Sequence, residues 1–176
     1  MLAMVWRVEA LALPALSLPC ARCARVSSFI CTERFRVNAN GGLLDVWLLY
    51  RCVACAEVHK ERVMRRAPVR SISCERLASH QGGDAALVRA CAFSLARGVD
   101  VPHRVLRAPL PGCGGFIARI EQPEPCGARW DRLLARELGW SRSRIAREAE
   151  RGALQVNGAS ELRRVVADGD VVAFEP

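Results

Sequence analysis

Two cysteine pairs with the same internal spacing constrain this chain of 176 residues more than any other feature. The first pair is Cys20 and Cys23, the second is Cys52 and Cys55, and 28 residues separate them. Two residues between cysteines allow both sulfurs of one turn to face the same point. Four thiolates suit tetrahedral Zn²⁺ and leave no open position for a reactive water. The spacing therefore predicts a structural zinc site without hydrolytic chemistry.

The residues between the cysteine pairs predict an antiparallel β ribbon. Residues 35–39 and 43–50 have strand character, and Asn-Gly-Gly at 40–42 is typical of a hairpin turn because these residues tolerate positive φ. Residues 57–64 predict a third strand. Chance spacing and redox pairs are the alternatives, but a redox pair is expected at a helix start beside a βαβ pattern, and neither pair has that context.

Five further cysteines and three histidines lie outside this pattern. Cys31 and His59 are close enough in sequence to be substitute ligands, although core or surface roles are favoured over ligation. The remaining cysteines are interpreted as buried or incidental thiols: Cys74, Cys91, Cys113 and Cys126. His80 and His103 have no evident catalytic partner. With no nucleophile elbow, phosphate loop or paired carboxylates, the sequence predicts a protein that is not an enzyme and binds no small-molecule substrate.

The formal net charge of +8 suggests an anionic partner, but it is not concentrated in one segment. Residues 1–75 carry eleven basic and six acidic side chains, residues 76–125 six and four, and residues 126–176 nine and eight. Only Lys60 among the 26 basic residues is lysine, so arginine is common throughout. An argument for nucleic-acid binding therefore depends on where the arginines point.

The apolar opening of the chain does not predict a membrane segment. Arg7, Glu9, Pro14 and Pro19 interrupt residues 1–20, which leaves no apolar run of about 20 residues. Glu9 also falls where the core of a signal peptide would run. We therefore expect a cytoplasmic protein, in which metal binding is favoured over disulfide formation as the use of the paired cysteines.

The middle segment predicts one amphipathic helix. Asp84 is a good N-cap and Gly98 a C-terminal stop. The apolar stripe between them consists of Leu87, Val88, Cys91 and Leu95. Such a stripe must be covered, and the ribbon sheet is the nearest candidate. Beyond the helix, residues 105–106 and 116–120 predict strands on either side of a turn-rich segment at 111–115, and the Pro-containing residues 122–125 predict a stiff linker.

The last fifty residues predict two helices followed by a small sheet. Trp130, Leu133, Leu134 and Leu138 form the apolar stripe of the first helix, which ends at Gly139. Ser141 caps the second helix, which Gly152 ends; its inward face is predicted to contain Ile145, Ala146 and Ala149. Residues 154–156, 162–166 and 171–174 predict strands, with turns at 157–158 and 168–170.

Arginines lie opposite both apolar stripes at helical spacing. The first helix presents Arg129, Arg132 and Arg136, and the second presents Arg144, Arg147 and Arg151. Guanidinium groups on adjacent helices are suited to two-pronged contacts with a phosphate backbone. The plain alternative is two solvated faces in an arginine-rich chain, since Glu137, Glu148 and Glu150 lie among them.

Two parts of the sequence resemble known families. PCARC, FIC and FRVNANGGLLDVWLLYRCVAC, with Trp6-Arg7-Val8 before them, resemble a block near the N-terminus of an uncharacterised bacterial family. This resemblance covers residues 5–120 and is specific over 19–55. It implies a cysteine-paired N-terminal ribbon and brings no activity.

The C-terminal segment is similar to the RNA-binding module first described in small-subunit ribosomal protein S-four. The matching positions are Arg129, Asp131 and Leu134, then Ser141, Arg142, Ile145 and Ala146, then Gly152, Leu154, Val156, Asn157 and Gly158, and finally Gly169 and Asp170. Trp130 stands where the family has a small aliphatic residue, and the stretch from 158 to 170 is short. The resemblance implies RNA contacts by the arginines, including Arg142.

Together these observations predict an α+β protein in three segments: a zinc ribbon with antiparallel strands over 1–75, an accessory helix and strand region with a linker over 76–125, and a two-helix plus β-hairpin RNA-binding-like module over 126–176. We expect it to bind structured RNA, ribosomal or transfer, with a role in translation or ribosome maintenance. The alternative is an adaptor that docks on a protein partner through both parts.

Overall fold

The chain forms two units of mixed α and β structure, which confirms the α+β prediction. The computed structural model describes residues 1–110 and 114–176. One unit comprises Leu13–Val99, and the other comprises Met1–Ala12 together with Asp100–Pro176. The turn predicted at 111–115 and the interpretation of Cys113 lie partly or wholly outside the described residues.

These unit boundaries differ from the three segments expected from sequence, and the first strand is one cause. Strand β1, Leu2–Ala10, pairs with strands that lie about a hundred residues further along the chain. It therefore belongs to the C-terminal unit and not to the ribbon. The sequence analysis predicts no strand over residues 2–10, and the pairing partners of β1 depend on long-range contacts that local patterns do not contain.

The unit Leu13–Val99 is built on a four-stranded antiparallel sheet in sequence order. Its strands are β2 (Leu16–Cys20), β3 (Arg25–Asn40), β4 (Leu43–Cys52) and β5 (Val58–Pro68). The hairpin predicted at 40–42 joins β3 and β4, and the predicted third strand corresponds to β5. Side chains of β4 alternate between buried and partly exposed along its whole length, so this central strand has one face toward the core.

Two helices cover the inner face of this sheet. Helix α1, Cys74–Gly82, follows a 3-10 turn at Val69–Ser71 and is missing from the sequence-based expectation. Helix α2, Ala85–Leu95, is the predicted amphipathic helix, and Asp84 caps it by accepting a hydrogen bond from the backbone N–H of Leu87. Gly83 between the helices has a φ of +66°, and a Cβ there would lie 3.0 Å from the backbone oxygen of Glu33.

The core of this unit lies between the sheet and α2, as expected. It contains two of the paired cysteines and the following buried residues: Phe29, Leu48, Tyr50, Val88 and Ala92. His80 of α1 is fully buried and meets the ring of Phe35 edge-on, with centroids 4.9 Å apart. Burial lowers the pKa of His80, so the neutral imidazole packs as an apolar side chain.

The other unit contains a five-stranded mixed sheet. Beside β1 it has β6 (His103–Leu106), β7 (Phe116–Glu121), β8 (Leu154–Val156) and β9 (Val171–Phe174), in the order β6-β1-β7-β9-β8. The β1–β7 pair is parallel and the others are antiparallel. Helices α3 (Trp130–Leu138) and α4 (Arg142–Glu150) match the two predicted helices, and Gly139 ends α3 with a left-handed cap.

Two sequence-based predictions for this unit are wrong. Residues 122–125 are not a linker, because the strands on either side of them share one sheet, and Gln122 is buried with its backbone N–H bonded to Asp168 at 2.7 Å. Residues 162–166 form no strand; only an isolated bridge joins Val165 to Arg129. Leu162 and Val166 are nonetheless buried, so the apolar residues that suggested a strand are core contacts of an irregular loop.

A buried carboxylate, Asp170, joins a helix, a turn and a loop of this unit. It accepts hydrogen bonds from the Trp130 indole at 2.9 Å, the Asn157 amide at 2.8 Å and the Ala167 backbone N–H at 3.0 Å. Burial alone would raise the pKa of Asp170, but these donors and the nearby Arg164 hold it below its usual value.

In the part of the chain that the structure describes, no helix is long and apolar enough to cross a membrane.

We predict that Asp170→Asn destabilises this unit by about 2 to 3 kcal/mol near neutral pH, because an amide cannot accept from all three donors. Since the folded-state pKa of Asp170 is lowered, its contribution is present above the ordinary aspartate pKa and lost as pH falls through the folded value. The difference between variant and parent in urea unfolding should therefore shrink below about pH 4. Glu175→Gln, an exposed carboxylate-to-amide change in the same unit, is the control; an equal loss in both variants would contradict the prediction.

Candidate functional site

The four paired cysteines lie at the ends of strands in the unit Leu13–Val99. Cys20 ends β2 and Cys52 ends β4, while Cys23 and Cys55 lie in the turns that follow. Each turn closes with an alanine in the left-handed region, one residue after its second cysteine: Ala24 has φ +52° and Ala56 has φ +61°. The two turns therefore have the same local form, in which both sulfurs of a pair point the same way.

The strand register brings the two turns together. Cys20 is opposite Arg25 in the β2–β3 pair, and Phe29 is opposite Cys52 in the β3–β4 pair. The backbone N–H of Val53 also donates to the Ser28 oxygen at 3.0 Å, which fixes the second turn against β3. Folding of the sheet alone thus places all four cysteines at one end of it.

The four sulfurs form a compact cluster. The Sγ atoms of Cys20 and Cys55 are 3.5 Å apart, those of Cys23 and Cys52 are 3.9 Å apart, and all four lie within 4.8 Å of one another. A tetrahedral ion with metal–sulfur distances of about 2.3 Å requires sulfurs about 3.8 Å apart. The arrangement is compatible with a metal site, and it confirms the predicted grouping of these cysteines.

The cluster makes ionisation of one sulfur easier and of its neighbours harder. Burial would raise the pKa of Cys52, but backbone N–H groups of Ala54 and Cys55 donate to its sulfur and lower that pKa to about 6. The backbone N–H of Glu57 lowers the pKa of Cys55, but burial and the other three sulfurs outweigh it and raise this pKa to about 12. Four thiolates at these distances would repel one another, and a cation between them would relieve that repulsion.

The other candidate ligands stay outside the cluster. Among the described residues, the only grouped metal-binding side chains are the four paired cysteines. His59 bonds to the Glu61 carboxylate at 2.8 Å, and the sulfur of Cys31 is 3.4 Å from the Glu33 backbone nitrogen. Of the remaining thiols, Cys74 is exposed and Cys126 is buried against Gln122.

The arginines predicted on α3 are already engaged by local groups. Arg129 makes a two-pronged pair with Asp131 at 3.0 and 2.8 Å, and Arg132 lies 3.4 Å from an Asp100 oxygen. Arg136 donates to Glu137 at 2.9 Å and to the backbone oxygen of His103 at 3.3 Å. These three side chains therefore offer less free charge than their spacing suggests.

The arginines of α4 are more accessible. Arg142, Arg144 and Arg147 are exposed, and the guanidinium of Arg144 lies 3.9 Å above the ring of Trp140. Arg151 pairs with Glu148. Within the described residues, neither Arg142 nor Arg147 has an ion-pair partner.

The predicted inward face of α4 needs one correction. Ile145 and Ala149 are buried as expected, but Ala146 is exposed and Glu148 is buried in its place. The helix is rotated relative to the expected stripe, and the Arg151 side chain neutralises the Glu148 carboxylate at that inward position.

A groove of about 530 Å³ runs beside the exposed Ala146. Its charged lining consists of Arg129, Arg142 and Arg163 on one hand and Asp131, Glu150 and Glu161 on the other. Arg163 is not among the residues predicted for RNA contact, which all lie on or next to the two helices; it belongs to the loop that replaces the strand predicted over 162–166. The adjacent arginines at 163–164 are the sequence signal that could have indicated it.

Comparison with known protein families gives a match over part of the chain. A family model described as "Protein of unknown function (DUF1062)" matches residues 37–99, which contain Cys52 and Cys55 and lie inside the unit Leu13–Val99. An uncharacterised family was the expectation for this part, although over a longer range. No curated protein matches the chain. No solved structure matches it either.

Proposed function

We propose that this protein is a non-catalytic, zinc-containing protein that binds structured RNA through the exposed face of α4. The observation that carries the proposal is the set of arginines Arg142, Arg144 and Arg147, which project from one short helix beside an open groove. The similarity of residues 129–170 to the ribosomal-protein-S-four type of module supports RNA as the ligand, ribosomal or transfer RNA being the expected targets in translation or ribosome maintenance.

The stacking of Arg144 on Trp140 favours recognition of phosphate. The indole holds the position of the guanidinium, 3.9 Å from its ring, and leaves the N–H groups free to donate to a ligand. Such an edge suits a two-pronged contact with a phosphate group. Structured RNA is favoured over a single strand on this face because the ring of Trp140 already contacts Arg144 and packs against the ring of Phe174, with centroids 5.0 Å apart.

Zinc is the metal that best suits the sulfur cluster. Four thiolates select soft or borderline ions, and the distances between the sulfurs fit the tetrahedral geometry that Zn²⁺ adopts in structural sites. Such a site would tie the ends of β2 and β4 to each other, next to the core residues Phe29 and Tyr50. Its role would be structural, because no ligand position remains for substrate.

We predict that the purified protein contains one zinc ion per chain and that Cys52→Ser removes it, because the remaining three sulfurs cannot complete the site. Metal content by inductively coupled plasma mass spectrometry and thermal unfolding both measure this. Cys74→Ser, which changes an exposed thiol in the same unit, should leave both unchanged. Clearly less than one zinc in the parent protein, with no loss in the Cys52 variant, would reject the site.

We predict that Arg144→Glu combined with Arg147→Glu weakens binding to a structured RNA at least tenfold at moderate salt, because reversal replaces attraction to phosphate with repulsion. Fluorescence anisotropy with a labelled RNA hairpin measures the affinity. The matched control is Arg97→Glu with Arg119→Glu, which changes the net charge equally at two exposed arginines elsewhere.

Equal affinity in the parent and the α4 variant would contradict RNA binding by this face. Salt separates this proposal from the alternative, docking on a protein partner. RNA binding predicts that co-purifying nucleic acid is lost steeply as salt rises, whereas apolar docking on a protein should depend little on salt.

A further inference from the structure

The sheet of the unit Leu13–Val99 has a second face that its helices do not cover. Because successive side chains of a strand point to opposite sides, the buried residues of β4 place Trp47, Leu49 and Arg51 on the other side. We call the side of β3, β4 and β5 that contains these three residues the outer sheet face. Trp47 and Leu49 are half-buried and Arg51 is exposed.

The strand register sets cationic side chains on both sides of the aromatic ring. Trp47 is opposite Arg36 on β3 and opposite Arg62 on β5, so one cross-strand row reads arginine, tryptophan, arginine. The next residue of β4 on this face, Leu49, is opposite Lys60. Residues directly opposite in an antiparallel pair have Cβ atoms about 4.5–5.5 Å apart, so each row is a contiguous surface.

A shallow depression adjoins these rows. It has a volume of about 540 Å³, and its apolar lining includes Ile30, Leu49 and Val58. Ile30 is 42% exposed and Val58 is 48% exposed, which is high for side chains of this size. Arg34 and Arg51 contribute the charged lining.

The outer sheet face carries more basic than acidic side chains. Five cations belong to it: Arg34, Arg36, Arg51, Lys60 and Arg62. Across the described residues, none of the five forms an ion pair. The acidic residue at an outward position of β4 is Asp45, and one of its carboxylate oxygens accepts the Arg66 backbone N–H at 3.0 Å. Glu61 lies on the inner side, where it bonds His59.

We propose that the outer sheet face binds a segment of single-stranded RNA, with a base stacked on Trp47 and the flanking phosphates held by Arg36 and Arg62. A partly exposed aromatic ring between cations, beside apolar side chains, is the combination by which sheet surfaces hold unpaired bases. An acidic protein segment would use the cations but would leave the ring without a matching partner. This site lies in the other unit from α4 and does not depend on the function proposed for that helix.

The test measures binding of the full-length zinc-loaded protein to a fluorescein-labelled single-stranded RNA of mixed sequence, about ten nucleotides long, by anisotropy over a range of salt concentrations. Trp47→Ala should weaken binding at least about fivefold, because the stacked base loses its platform. Trp47→Phe should retain much of the affinity. Arg36→Gln with Arg62→Gln should reduce the slope of log affinity against log salt by about 1.4, which corresponds to two phosphate contacts.

Matched variants distinguish binding at this site from the effect of net charge and from binding at the exposed face of α4. Arg70→Gln with Arg97→Gln removes two exposed cations of the same unit outside the three strands and should leave the affinity and the salt slope nearly unchanged. The variant with Arg144→Glu and Arg147→Glu should still bind the single strand. If the α4 variant loses single-strand binding while the Trp47 and Arg36/Arg62 variants keep it, the proposal for the sheet face fails. If the α4 variant binds the hairpin as tightly as the parent, the function proposed for α4 fails instead.

Two readouts can overturn the proposal directly. The proposed stacking contact would be contradicted if the Trp47→Ala variant retained zinc and the unfolding behaviour of the parent and still bound the single strand with unchanged affinity. Poly-glutamate that competes with the RNA at equal charge concentration would identify the face as a site for acidic protein segments. Quenching of tryptophan fluorescence on RNA binding, absent in Trp47→Phe, is the expected signature of stacking.

Discussion

The mutual proximity of four cysteine sulfurs is the constraint on which the unit Leu13–Val99 depends. Two of the sulfurs, those of Cys20 and Cys52, lie in the core beside Phe29 and Tyr50. Without a cation, ionising one thiol raises the cost of ionising its neighbours, as the opposite pKa directions of Cys52 and Cys55 indicate. A divalent ion would convert this repulsion into attraction and join the ends of two strands. The remainder of the sheet, including its outer face, would then be held from that end.

The other unit achieves a similar connection with a carboxylate. Asp170 gathers Trp130 from α3, Asn157 from a turn and Ala167 from a loop, and the Arg164 side chain lies 3.5 Å from one of its oxygens. The loop between β8 and β9 has no strand structure of its own, so these hydrogen bonds replace the missing ladder. The same loop contributes Arg163 to the groove beside α4. The hydrogen bonds of Asp170 therefore help to hold the loop that places Arg163 in this groove.

Local signals predicted most of the elements but not their assembly. The hairpin at 40–42, the Asp84 cap and the Gly139 stop each depend on residues within one turn, and each is present. The pairing of β1 with β7 and the loop over 162–166 depend on contacts far apart in sequence, and both were missed. The grouping of the cysteines was predictable because two pairs with the same spacing are typical of four ligands around one metal ion. The accessibility of the arginines was not predictable, because helical spacing does not show which arginines have a carboxylate partner in the folded chain.

The distribution of charge shows why a segment's net charge is a poor guide to its binding surface. The C-terminal segment contains nine basic side chains, but Arg129, Arg132, Arg136 and Arg151 are paired with carboxylates. The strands β3, β4 and β5 contain fewer matched pairs, because strand alternation sends Glu61 to the inner side and leaves Arg36 and Arg62 on the outer side. Cations that share a sheet face with a half-buried ring, and form no ion pair with any described residue, remain available to attract phosphate. The stronger electrostatic argument for nucleic acid in this chain therefore comes from a sheet face whose basic residues are scattered in sequence.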